Sequence, residues 1–106
     1  MEWTGWANGS PSKTGAGYGL RVPAENRRTF FSRKWKSVTL MLETRGKVEE
    51  VHANLTSTFW EGCPELRGKA IGGWLQRNNL APWPKGKPPK VKAVPVGSRR
   101  FRVHSE

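Results

Sequence analysis

A chain of 106 residues with 19 Lys and Arg against 8 acids, all of them Glu, carries a formal charge of +11 and is long enough for one domain with one core. It holds no run of about 20 apolar residues, and the start MEWTGWANGS lacks a basic, greasy leader, so neither a membrane span nor export is expected. The lone Cys63 permits no internal disulfide and points to a reducing, cytoplasmic or nucleoid-associated setting, while the cation excess points to a polyanionic partner, nucleic acid first.

In chain order, Glu2 to Ala7 reads as a strand, followed by the turn-rich NGSPSKTGAG. Tyr18, Leu20 and Val22 alternate with Gly19 and Arg21, the period of two of a half-buried strand. Pro23 suits a first helical position, so PAENRRTFF reads as a short helix whose Phe30 and Phe31 turn toward a core. Val38, Leu40 and Leu42 alternate with polar neighbours, TRG turns the chain, and KVEEVHANL returns, which makes a hairpin over 37 to 55. The β-branched and aromatic content of 57 to 60 predicts a short strand, and Pro64 a helix over 64 to 78. In that helix Leu66, Ala70, Ile71, Trp74 and Leu75 form one stripe, and Gly72 and Gly73 invite close packing on a neighbour. PWPKGKPPK is expected to be extended and solvated. KVKAVPV and RRFRVH close the chain as two strands joined at Gly97 and Ser98, with Phe101 and Val103 on one face and Arg100, Arg102 and His104 on the other. The expected fold is one mostly β (α+β) domain over residues 1 to 106, with two short helices.

Charge is segregated: residues 23 to 47 carry +5, 48 to 66 carry −4 and 82 to 106 carry +6. The basic parts are interleaved with Trp and alternating apolar residues, unlike a disordered tail, so folding must bring them together.

Enzyme motifs fail on their own requirements. Lys13-Thr14 lacks the P-loop glycine spacing and the helix that should follow, and Leu20 stands where a dinucleotide fingerprint needs its third glycine. Without Asp, the usual first ligand of a magnesium nuclease is missing. Glu49 and Glu50 fall on opposite faces of one strand, and Cys63, His52 and His104 follow no zinc spacing. A non-catalytic protein with no cofactor and no metal is expected.

Binding chemistry is better represented. In the loop 8 to 19, Asn8, Ser10, Ser12, Lys13 and Thr14 can bond phosphate oxygens or base edges on a backbone that glycines make slim and pliable. The bland reading of those glycines is turn geometry. In NLTSTFW, Asn54, Thr56 and Thr58 offer polar contacts and Trp60 a stacking face. Arg27, Arg28, Arg33, Lys34 and Lys36 are natural phosphate clamps, and Tyr18, Arg21 and Arg67 complete the candidate contact set. PKGKPPK is similar to the core of a minor-groove AT-hook with lysines in place of arginines, which favours generic phosphate contact.

The order of parts resembles the DNA-binding pseudobarrel domain. Thr14-Gly15-Ala16, then Gly19-Leu20-Arg21-Val22-Pro23 leading into a short helix, the hairpin 37 to 55, a helix ending GGWLQRNNL, and the closing hairpin KVKAVPV with RRFRVH carry the likeness over residues 3 to 104. The family includes the effector domains of EcoRII-like and BfiI-like restriction enzymes and the plant B-three transcription-factor domain. The resemblance implies an open seven-stranded barrel that grips duplex DNA between two arms, here Asn8 to Tyr18 and Asn54 to Trp60. It supplies no base-contacting residues and no nuclease. Double-stranded DNA is thus the expected partner; an RNA- or ribosome-associated protein and a basic protein-interaction or inhibitor module are the alternatives. Oligomeric state is left open.

Overall fold

The structure, a computed structural model, describes residues 1–105. Seven strands form one sheet: β1 (Glu2–Ala7), β2 (Tyr18–Arg21), β3 (Ser37–Thr44), β4 (Lys47–Asn54), β5 (Glu65–Arg67), β6 (Lys90–Pro95) and β7 (Arg100–Ser105). Their spatial order is β4-β3-β7-β6-β1-β2-β5. All neighbours are antiparallel except β3 and β7, and the sheet curls until its two edges, β4 and β5, face each other across a narrow seam. The protein is therefore an α+β open pseudobarrel. Three helices connect the strands: α1 (Ala24–Phe30), α2 (Ser57–Glu61) and α3 (Lys69–Arg77).

Strand alternation explains the core. Val38, Leu40 and Leu42 of β3, Val91 and Ala93 of β6, and Phe101 and Val103 of β7 all point inward and are buried. Each such aliphatic or aromatic side chain contributes about 1.5–3 kcal/mol by leaving water. Trp3 fills the centre against Phe101 at 5.4 Å and Phe31 at 6.3 Å, and Phe31 stacks on Phe101 at 4.8 Å. Phe30, the neighbour of Phe31, is exposed, because the helix ends there and only one of the pair can reach the core.

Three expectations are corrected. Residues 57 to 60 are helical: Phe59 is drawn into the core beside Phe31 at 5.2 Å, and one helical turn seats it while exposing Ser57 and Thr58. The strand expected there is instead Glu65–Arg67, where Leu66 pairs with Leu20, so α3 begins only at Lys69. Leu66 therefore leaves the helical stripe, and Ala70 is exposed, while Ile71, Trp74 and Leu75 do face inward. The proline-rich segment is solvated over most of its length, as expected, but it is pinned at two points: Pro89 O accepts a hydrogen bond from Gly5 N at 2.8 Å and Trp83 packs on Tyr18 at 5.5 Å, with Pro84 to Pro88 exposed between them.

No helix among the described residues is long and apolar enough to cross a membrane.

Candidate nucleic-acid interface

Strand directions place the two polar loops. The β1–β2 loop and α3 lie at one end of the barrel; α1, α2 and the β4–β5 connection lie at the other. Between the two ends run the short antiparallel strands β2, four residues, and β5, three residues. The loops thus flank one small patch of sheet.

The first loop is folded on itself. Asn8 N donates to Gly17 O and Ser12 N to Ala16 O, both at 2.8 Å, while the Asn8 Oδ1 and Ser12 Oγ atoms accept from Ser10 N and Thr14 N. These side chains hold local turns in the manner typical of Asx and hydroxyl residues. Gly15, with φ +98°, is buried against α3, where a Cβ would stand 2.5 Å from Lys69 O and 2.6 Å from Gly73 N. Gln76 Nε2 adds a bond to Ser12 O at 3.2 Å. Gly15 and Gly17 therefore serve turn geometry and packing, the bland reading of these glycines. What the loop presents to solvent is its rim: Asn8, Ser10, Lys13 and Thr14 are exposed and Ser12 half-buried. Tyr18 is corrected as well: it is 5% exposed and belongs to the core.

On the second loop Asn54, Thr56 and Thr58 are exposed, and the Thr56 side chain makes no cap bond to α2. All three line a cleft of about 410 Å³ over the seam, with His52, Phe59, Cys63, Glu65 and Arg67. Trp60 is half-buried, edge-on to Phe59 at 5.1 Å, and carries Arg33 over its ring at 5.3 Å. Arg27 turns inward to donate to Phe59 O at 2.7 Å, which braces α2 on α1. Arg33, Lys34 and Lys36 remain exposed on the connection after α1.

The outer face of β1, β2 and β5 joins the loops. Registers align Thr4, Arg21 and Glu65 in one row and Trp6, Gly19 and Arg67 in the next. Glu65 is the buried charged residue of this face: its side chain is 1% exposed and bonded to Arg21 Nη2 at 3.2 Å and Arg67 Nη2 at 2.9 Å. Arg67 also reaches over the side-chain-free Gly19 to stack on Trp6, 4.5 Å from the ring centroid. Arg67 thus lies on a strand facing out, not on a helix, and it meets Arg21 through a residue that sequence patterns did not single out.

The carboxylates of the β3–β4 hairpin are paired with arginines of α3 and β7. Glu49 bonds Arg77, Glu50 bonds Arg100 at 2.6 Å, and Glu43 bonds Arg102 at 2.8 Å. As their alternation requires, Glu49 and Glu50 meet partners on different elements, α3 and β7. His52 and Cys63 share the seam cleft, but no hydrogen bond joins them among the described residues, and His52 Nδ1 is bonded with Thr39 Oγ1 at 3.2 Å. Among the described residues no three His, Cys, Asp or Glu side chains cluster as a metal site would need.

Fold and surface together define an α+β pseudobarrel that presents a cation-bearing sheet face between two polar loops. Comparison with protein-family models, with curated proteins and with solved structures gives no match.

Proposed function

We propose that this pseudobarrel is a non-catalytic module that grips double-stranded DNA, its two loops entering a groove on either side of the β2–β5 face. The observation that carries the reading is the spacing. A four-residue β2 spans about 10 Å, three rises of 3.3 Å, so loops at its two ends fit within the ~12 Å width of a B-DNA major groove. Ser10, Lys13 and Thr14 stand on one side of that gap, Asn54, Thr56 and Thr58 on the other, and Arg21 and Arg67 on the floor between them. Arg33, Lys34 and Lys36 then fall where they can neutralise phosphates and hold register. The likeness to DNA-binding pseudobarrels in the order of parts supports the same reading.

A second reading, single-stranded RNA, draws on the two aromatic–guanidinium pairs, Trp60 with Arg33 and Trp6 with Arg67, since stacked platforms suit unpaired bases. Titration of a labelled duplex at low and near-physiological salt, with single-stranded RNA as competitor, decides between them. Tighter binding of the duplex supports the first reading and tighter binding of the RNA the second. Failure to bind either at low salt would leave a protein-interaction module.

A further inference from the structure

We infer that Glu65 is a positioning residue that turns Arg21 and Arg67 into a pair of fixed forks for guanine, so that the β2–β5 face reads base edges rather than holding phosphate. The inference rests on the duplex-binding reading above.

Three observations point this way. The first is charge. A phosphate clamp gains from every cation and loses from a nearby carboxylate, yet the fold sets a carboxylate between these two arginines and reduces their combined charge to +1. Such an arrangement is poor for an anion and harmless for a neutral base edge. The second is orientation. Each guanidinium spends one N–H on Glu65 and leaves most of its donors free, and the side chains stay 51% and 54% exposed while the carboxylate is sealed at 1%. Arg67 is further held over the Trp6 ring, 4.5 Å from its centroid, across Gly19. Arginine forks held this way match the O6 and N7 acceptors that guanine shows in the major groove, the commonest specific contact to DNA. The third is place. Arg21 lies opposite Glu65 and Arg67 two residues further along β5, a diagonal neighbour about 7–8 Å away. Both stand on the outer face between the polar loops. Holding long side chains in one geometry before contact is what keeps a recognition site selective.

The test compares a short A·T duplex with the same duplex carrying two guanines on neighbouring base pairs, and with a version in which 7-deazaguanine removes both N7 acceptors. The wild type is expected to prefer the guanine duplex by about ten-fold or more, and the deaza substitution to abolish most of that preference. Glu65→Gln raises the charge of the cluster, so it should bind the A·T duplex more tightly than wild type while losing the guanine preference. A residue that only held β2 to β5 would not produce that reversal. Replacing Arg21 and Arg67 together by Lys keeps the charge but removes both forks, and should lose the preference while a salt-dependent duplex affinity remains; it covers the case in which Glu65→Gln fails to fold. Equal affinity for all three wild-type duplexes, or a preference that survives deaza substitution or the double Lys replacement, overturns the inference while duplex binding stands. Failure of the wild type to bind any duplex at low salt overturns both.

Discussion

Gly72 and Gly73 are chemically identical neighbours in α3, and replacing each by Ala should move stability in opposite directions. Alanine in a helix interior is worth about 1 kcal/mol over glycine, so propensity alone favours both substitutions equally. Contact separates them. A Cβ on Gly72 would land on the carbonyl oxygen of Gly15, with the carbonyl carbon at 2.7 Å and Cα at 2.8 Å. All three are backbone atoms of a residue at φ +98°, which cannot rotate away as a side chain would. A Cβ on Gly73 would meet only Arg77 Nη1 at 3.2 Å, the far end of a flexible, exposed side chain. Overpacking of this kind costs about 1–3 kcal/mol, and more where backbone must shift, so Gly72→Ala should lose about 1–2 kcal/mol net and Gly73→Ala should gain up to about 1 kcal/mol. At this chain length that is about 4 °C of melting temperature per kcal/mol, read by thermal unfolding followed by circular dichroism. Because Gly15 anchors the first loop on α3, Gly72→Ala should also weaken duplex binding more than its stability loss explains. A Gly72→Ala protein that melts at or above the wild type, or a Gly73→Ala protein that melts below Gly72→Ala, would refute the account of how this loop is held.

Three further outcomes are expected. Duplex affinity should fall with salt at a log-log slope of about −5 if six phosphates are contacted, and replacing Arg33, Lys34 and Lys36 together by Ala should flatten it by about 0.9 per lost contact, read by titration across salt concentrations. Trp74→Phe should cost about 1–3 kcal/mol in denaturant unfolding, because Trp74 Nε1 donates to Glu43 O at 2.9 Å from a fully buried ring and the carbonyl would lose that partner. Cys63→Ser changes an exposed thiol, so stability should stay within about 0.5 kcal/mol and duplex affinity should be retained; loss of an activity on nucleic acid in this variant would instead argue for chemistry in the seam cleft.

Where the sequence carried a repeated physical signal, it could be read. β2, β3 and the closing pair alternate over four or more residues, β4 is legible from the turn before it, and Arg45-Gly46 and Gly97 hold the positive φ their turns need. β5 could not be found that way: three residues are too few for alternation, and Pro64 before it imitates a helix start. Thr56 to Trp60 has strand composition, but the burial of Phe59 overrides propensity over a stretch that short. The site suffered from the same gap. Glu65 and Arg67 share a face only because they are two apart on a strand, and Trp6 meets Arg67 only because β1, β2 and β5 are neighbours with Gly19 between. Neither the parallel β3–β7 pairing nor that strand order leaves a trace in local pattern.

Both loops are braced by helices at the barrel ends, and this bears on how a small, glycine-rich chain could hold the proposed recognition surface. The first loop is tied to α3 through Gly15 on Gly72 and Gln76 on Ser12. The second is tied to α1 through Arg27 on Phe59 and to the connection after α1 through Arg33 on Trp60. Both helices also flank the hydrophobic core, α3 with Ile71, Trp74 and Leu75 and α1 by leading into Phe31. A loop anchored only at its two strand ends would have to be ordered when it binds, and ordering costs about 1–2 kcal/mol per residue fixed. Loops already hydrogen-bonded to themselves and seated on a helix have met most of that cost during folding. The gap between them is then set by β2 and β5, whose lengths cannot change by one residue without shifting the following side chains to the opposite face. Spacing, charge and orientation on this face are therefore properties of the fold rather than of flexible side chains.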